Sequence, residues 1–148
     1  MGSIYDATVA YLAGQGVSVT HDADGFASFE VDTETPWRVH VWAREDAHQL
    51  LVHSVLPFQV PDERRADVAM FATRANFGLA IGNFELDMDN GELRYKTSMD
   101  TGGEVLTDAL LRPLFVANIS TTNRYLPGIQ AVLVGADPAA AVLAVETS

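Results

Sequence analysis

The sequence predicts an α+β fold: an antiparallel sheet of about five to six strands flanked by helices, in the order α-β-β-β-β-α-β-β-α. Three observations carry this. Residues 17–56 alternate apolar and polar side chains around turn signals. Asn90-Gly91 separates two further alternating runs. Segments 3–14, 61–77 and 107–134 repeat apolar residues at helical spacing. The 148 residues contain no repeat, linker or low-complexity stretch and read as a single domain over 1–148.

In order, residues 3–14 form an amphipathic helix. Ser3 caps it, Ile4, Ala7, Ala10 and Tyr11 share a face, and Gly14 and Gly16 end it. A hairpin follows, from Val17 and Val19 through the turn Asp22-Ala23-Asp24-Gly25 to Phe26, Ser28 and Glu30, with Phe29 and Val31 on the opposite face. Trp37, Val39 and Val41 then alternate with Arg38, His40 and Trp42, and a second strand runs from Gln49 to Leu56. Setting Glu45 opposite His48 puts Val41 opposite Val52 and His40 opposite His53. One face becomes core: Trp37, Val39, Val41, Leu50, Val52 and Leu56. The other carries Arg38, His40, Trp42, Leu51, His53 and Val55, a mixture suited neither to core nor to ordinary solvent surface.

Pro57 and Pro61 are expected to stop the sheet, and Asp62-Glu63 to open the helix over 61–77 that Gly78 ends. At Asn90-Gly91 a type I′ turn sets Asp89 opposite Glu92. Met88 then meets Leu93 and Leu86 meets Tyr95 on one face, while Asp87 meets Arg94 and Glu85 meets Lys96 on the other. Gly102-Gly103 leads to a Thr107-Asp108 cap and a helical stretch to about 134, which Pro113 and Pro127 must kink or divide. Its apolar stripe is Leu110, Leu111, Leu114, Phe115, Ile119, Leu126, Ile129, Val132 and Leu133. Asp137-Pro138 is a helix-start signal, though whether 136–148 is helical stays open.

The absence of cysteine excludes a disulfide scaffold, a zinc ribbon and a cysteine nucleophile. Twenty acidic residues against nine basic ones give a formal charge of −11, and the basic residues are scattered. That argues against nucleic acid and anionic membranes as partners, and suits solubility or a basic peptide or protein. With no signal-peptide pattern at its amino terminus, the chain is expected to be cytoplasmic. The longest apolar run, Ala139–Val145, is too short to span a bilayer.

Candidate chemistry is sparse. His40 and His53 fall side by side but lack a third ligand, so no metal or cofactor is expected; two close imidazoles could still sense pH. The run from Asp87 to Gly91 fails calcium-loop spacing, because Gly91 is fifth and Ser98 twelfth. Glu30, Asp32 and Glu34 read as a solvated strand edge. Gly102-Gly103 is ringed by Asp100, Glu104 and Asp108, which disfavours an anion site. No nucleophile elbow, P-loop, zinc-protease or dinucleotide motif is present, so no catalytic residue is assigned.

The pattern resembles the YbjN-like family, labelled bacterial sensory transduction regulators. The resemblance rests on Trp37-Arg38-Val39-His40-Val41, Ser54-Val55-Leu56-Pro57 with Val60-Pro61, and Arg74-Ala75-Asn76-Phe77. It continues through 82–87 and 91–96, Leu106-Thr107, and Tyr125-Leu126-Pro127. It implies a fold similar to type III secretion chaperones, small, acidic and usually dimeric, without an agreed catalytic activity or catalytic residue.

Two functional expectations follow. The first is a non-catalytic dimeric protein-binding module, chaperone-like or a regulatory adaptor, using the face of Arg38, His40, Trp42, Leu51, His53 and Val55. On this reading Trp42, Leu51 and Val55 form an exposed patch; the opposing reading has a helix of the same chain covering them. The alternative is a small-ligand sensor with a pocket between the sheet and the C-terminal helix, its polar candidates being Asn76, Asn83, Asn118 and Tyr125. A hydrolase using His40 or His53 with a carboxylate ranks behind both.

Overall fold

The computed structural model describes residues 2–148. The elements are α1 (Ser3–Gly14), β1 (Thr20–Ala23), β2 (Phe26–Val31), β3 (Trp37–Arg44), β4 (Gln49–Gln59), α2 (Arg65–Gly78), β5 (Asn83–Leu86), β6 (Glu92–Asp100), α3 (Asp108–Leu133) and α4 (Pro138–Glu146). All six strands pair antiparallel in one sheet of order β1-β2-β3-β4-β6-β5. The fold is α+β, as the alternating strands and periodic helices require, with α4 as an additional helix. Asp137 caps α4 by accepting from the Ala140 amide at 3.0 Å.

The helices gather on one side of the sheet. Alternation sends Trp37, Val39, Val41, Leu50, Val52 and Leu56 to that side, and each is at most 3% exposed. β3 and β4 pair as the pattern dictates, Val41 with Val52 and His40 with His53. A 3₁₀ turn over Glu45–Ala47 joins them, with His48 left-handed at φ 55°.

Several local expectations change. Ser3 does not cap α1. The Glu45 carboxylate instead accepts from the Ile4 and Tyr5 amides at 3.1 and 3.0 Å, from forty-odd residues away. Ala10 is exposed, and Thr8 takes the buried position. The first strand begins at Thr20 rather than Val17. β4 runs through Pro57 to Gln59, because β3 begins only at Trp37 and offers Pro57 no partner, and the pairing with β6 is irregular between Val55 and Gln59. No ladder bond therefore needs the missing amide.

The β5–β6 hairpin is shifted by two residues from the expected register. Glu85 pairs with Arg94, Leu86 with Leu93 and Phe84 with Tyr95. Only Gly91 of the turn has positive φ, at 83°, so a type I′ turn, which needs two such residues, does not form. The Asp87 carboxylate instead accepts from the Asp89 and Asn90 amides and stabilises a longer loop, leaving Met88 exposed. A two-residue slip preserves each side chain's face, so apolar patterning alone does not distinguish the registers.

Pro113 and Pro127 do not divide α3, which is one helix of 26 residues. Both prolines are exposed, and the carbonyls they leave free belong to exposed Ala109 and Asn123. Leu110 lies outside the buried stripe, while polar Asn118 and Thr122 lie within it at 0% exposure. Asn118 bolts the helix to the sheet: its Nδ2 donates to the Val52 carbonyl (2.9 Å), Thr97 Oγ1 (3.1 Å) and the Tyr95 carbonyl (3.3 Å). Its Oδ1 accepts from Ser54 Oγ, which accepts from Trp37 Nε1 at 2.9 Å.

Candidate protein-interaction face

Among the described residues, no helix packs on the opposite side of the sheet. Across β2, β3 and β4 that side presents Phe26, Ser28, Arg38, His40, Trp42, Arg44, Leu51, His53 and Val55, continued by Arg94 and Lys96 of β6 and Glu85 of β5. Arg38 and His40 are exposed, Trp42, Leu51 and Val55 half-buried, and His53 is 8% exposed. All six residues singled out from the sequence therefore share one face. They are cross-strand neighbours, with Arg38 opposite Val55, His40 opposite His53 and Trp42 opposite Leu51.

Two features extend the face beyond the residues legible in the β3–β4 pattern. Phe26 lies opposite Trp42 and stacks on it, ring centroids 5.4 Å apart, and the Arg44 guanidinium lies 5.0 Å from the Trp42 centroid. The result is an apolar ledge with a cationic end. On the far side Glu85 accepts from Arg94 Nε and Lys96 Nζ, both at 2.8 Å. Burial works against its charge, but those two hydrogen bonds hold its carboxyl below the usual range. Four of the nine Lys and Arg residues, Arg38, Arg44, Arg94 and Lys96, project from this face. Glu30, Glu85, Glu92 and Asp100 alternate onto the same face and balance them, so the face is close to neutral and the acidic excess lies elsewhere on the molecule.

His53 is the anomaly at the centre. Its Nε2 is buried and without a hydrogen-bond partner among the described residues. Burial, then the Arg94 charge, pushes its pKa down to about 4, so the ring is neutral at pH 7. His40 stands beside it, but no group of three or more His, Asp or Glu side chains able to hold a metal occurs among the described residues.

A separate cavity of about 420 Å³ opens between α1, β2, β3 and α3, walled by Tyr11, Phe29, Trp37 and Phe115 with Ser120 and Asn123 among its polar lining. No charged side chain lines it. Asn76, Asn83, Asn118 and Tyr125 are not part of its wall. Asn76 instead brackets Phe84, donating to its carbonyl (3.1 Å) and accepting from its amide (2.7 Å), and Asn83 donates to the same carbonyl at 3.2 Å. Asn118 is the bolt described above. Tyr125 Oη donates to Glu146 Oε2 at 2.7 Å, and burial, then that carboxylate, pushes its pKa up to about 12. The sequence missed the cavity because its lining comes from four separated segments with no shared motif.

No helix of the described residues is long and apolar enough to cross a membrane. Among solved structures, the chain is similar to YbjN from E. coli (14% identity, TM-score 0.58, covering 86% of this chain and 87% of that one). It is similar to a chain of the ExoT–SpcS complex from Pseudomonas aeruginosa (13% identity, TM-score 0.55, 83% and 97% covered). It also resembles a chain of the HopA1–SchA chaperone–effector complex (12% identity, TM-score 0.53, 80% and 88% covered). At these identities the comparisons establish the fold, that of the type III secretion chaperones. No curated protein matches. The family model described as "Putative bacterial sensory transduction regulator" matches residues 7–131, most of the chain, and the protein belongs to that family, YbjN.

Proposed function

We propose that this protein is a non-catalytic, dimeric protein-binding module, a chaperone-like or regulatory adaptor, that docks another protein on the open face of its sheet. The observation that carries the reading is the Phe26–Trp42–Arg44 ledge beside half-buried Leu51 and Val55 on a face no helix covers. An apolar patch rimmed by charge is the form protein interfaces take. The fold of chains found in complexes, one of them a chaperone–effector complex, supports it. Because the face carries both signs of charge, the partner fitted is an amphipathic segment with apolar anchors rather than a purely basic one.

The test is quantitative affinity capture from lysate with the wild type, Trp42→Ala and Leu51→Ala, each checked for folding by circular dichroism. The reading expects one protein set captured by the wild type and lost by both folded variants. Capture unchanged by the variants would overturn it, as would unfolding by either substitution, which would make these residues core. The uncharged 420 Å³ cavity favours a second reading, a sensor for a small apolar ligand. A metabolite that raises the melting temperature, with the effect abolished by Ser120→Trp at the cavity wall, would favour it.

A further inference from the structure

The cavity between α1, β2, β3 and α3 does not end at its aromatic wall. A second hollow, of about 300 Å³, adjoins it and shares Thr33 and Asn123 with its lining. The two differ in chemistry. The first, a chamber of about 420 Å³, is walled by rings already packed on one another: Phe115 lies against Tyr11 and Phe29, with centroids 5.8 and 6.3 Å apart. The second is a vestibule between the loop joining β2 to β3 and the later turns of α3, lined by Glu34, Thr35, Leu126, Pro127 and Gln130. Thr33 shapes that loop, its Oγ1 donating to the Thr35 carbonyl at 3.0 Å. Each hollow has the size at which pockets begin to hold small molecules, about 300–1,000 Å³.

Charge separates the two further. No charged side chain lines the chamber, and Glu34 is the one charged residue lining the vestibule. Glu34 is exposed and makes no ion pair among the described residues. Of the acidic run Glu30, Asp32 and Glu34, Glu30 lies opposite Arg38 on the open face of the sheet, whereas Glu34 stands at this entrance. The cation next to the shared wall, Arg124, is held by α4. Its Nη2 donates to the Glu146 carbonyl at 3.1 Å, and its guanidinium lies 5.7 Å from the Tyr125 ring centroid. An anion entering here meets a carboxylate and no counter-ion, and a cation meets the reverse.

Resting on the second reading above, in which the cavity holds a ligand, we infer that the two hollows form one site for a small cationic amphiphile. Its apolar tail fills the chamber, and its ammonium sits in the vestibule beside Glu34. Burial of the tail supplies the affinity, in proportion to the apolar area removed from water. The head supplies the selection. An ammonium at the wet end keeps its hydration and gains a carboxylate, while an anionic head gains only repulsion. The net charge of −11 adds a preference of the same sign that salt screens.

Isothermal titration calorimetry of the full chain with octylammonium, octanol and octanoate, each below its micellar concentration and at moderate salt, tests this. The three share a tail and differ in head charge. Octylammonium should bind at a single site, about threefold tighter than octanol and about tenfold tighter than octanoate. Glu34→Gln should bring octylammonium level with octanol. Glu104→Gln, which removes the same charge from an exposed residue lining neither hollow, should leave the ratio unchanged. Ser120→Trp in the chamber wall and Asn123→Trp in the shared wall should each abolish binding of all three. All four side chains are exposed, so the variants should keep wild-type circular dichroism, and either blocking variant serves if the other misfolds. Equal affinity for the three heads, or a preference for ammonium that survives Glu34→Gln, overturns the assignment of the head. No saturable binding, or binding indifferent to both blocking variants, overturns the site for this class of ligand. A metabolite that still raises the melting temperature and is blocked by Ser120→Trp would then leave the sensor reading standing, so the two fail separately.

Discussion

Replacing Asn118 with alanine asks whether this residue is a structural bolt or a ligand-binding group. Its amide serves four partners at zero exposure. Truncation leaves the Ser54 hydroxyl without its acceptor, an orphaned buried donor that costs about 1–3 kcal/mol. The Thr97 hydroxyl keeps its bond to the Leu114 carbonyl, and the Val52 and Tyr95 carbonyls lie within the sheet ladder, so those losses are smaller. The space left by the amide adds a cavity cost, bringing the expected destabilisation to about 3 kcal/mol. That is a large share of the roughly 5–15 kcal/mol by which domains are stable. Urea unfolding followed by circular dichroism and by the fluorescence of buried Trp37 measures it. Asn118→Ala and Ser54→Ala should be non-additive by about 1 kcal/mol or more, because each breaks the same Trp37–Ser54–Asn118 chain. A loss below about 1 kcal/mol with an unchanged denaturant slope would refute the network argument.

Other outcomes follow from the same geometry. His53 has a folded pKa of about 4 against an ordinary 6.5, so between these values the unfolded chain binds the extra proton. Its contribution is complete above pH 6.5 and is lost as the pH falls toward 4. After allowance for solvent screening the loss is on the order of 1–2 kcal/mol, and unfolding curves of His53→Gln should lack it. Glu45→Ala should cost about 1 kcal/mol by freeing the Ile4 and Tyr5 amides, and hydrogen exchange should report fraying confined to the first turn of α1. Gly82→Ala should destabilise more than Gly14→Ala, since Gly82 has φ 78° and a Cβ there would lie 2.6 Å from the Lys96 carbonyl oxygen, whereas Gly14 faces open space. Thermal melts of the two variants compare them.

What the sequence made legible follows from period. In β3 and β4 strict alternation determines both faces and the pairing, so the six residues of the candidate face were identifiable together. Between β5 and β6 alternation identified the faces but not the register, which Asp87 and Gly91 decided through the loop. The α3 prolines were misleading because the rule against them concerns the freed carbonyl, and a solvent-facing carbonyl has water. Asn118 and Thr122 were hidden for the opposite reason: a polar residue in an apolar stripe is readable only when its partners on other strands are known. Phe26 and Arg44 were missed at the face because one lies in the preceding hairpin and the other just past the apolar run.

The central claim is that the open face of the sheet, and not the helical side, receives a partner. Acrylamide quenching of the two tryptophans in the captured complex tests it most directly, since Trp37 is 2% exposed and Trp42 half-buried at the face. The account predicts that Trp42 supplies the quenchable emission of the free protein and becomes shielded when the partner binds, with Trp37 dark to quencher throughout. Quenching of Trp42 that is identical in free and bound protein would place the partner elsewhere and contradict the account.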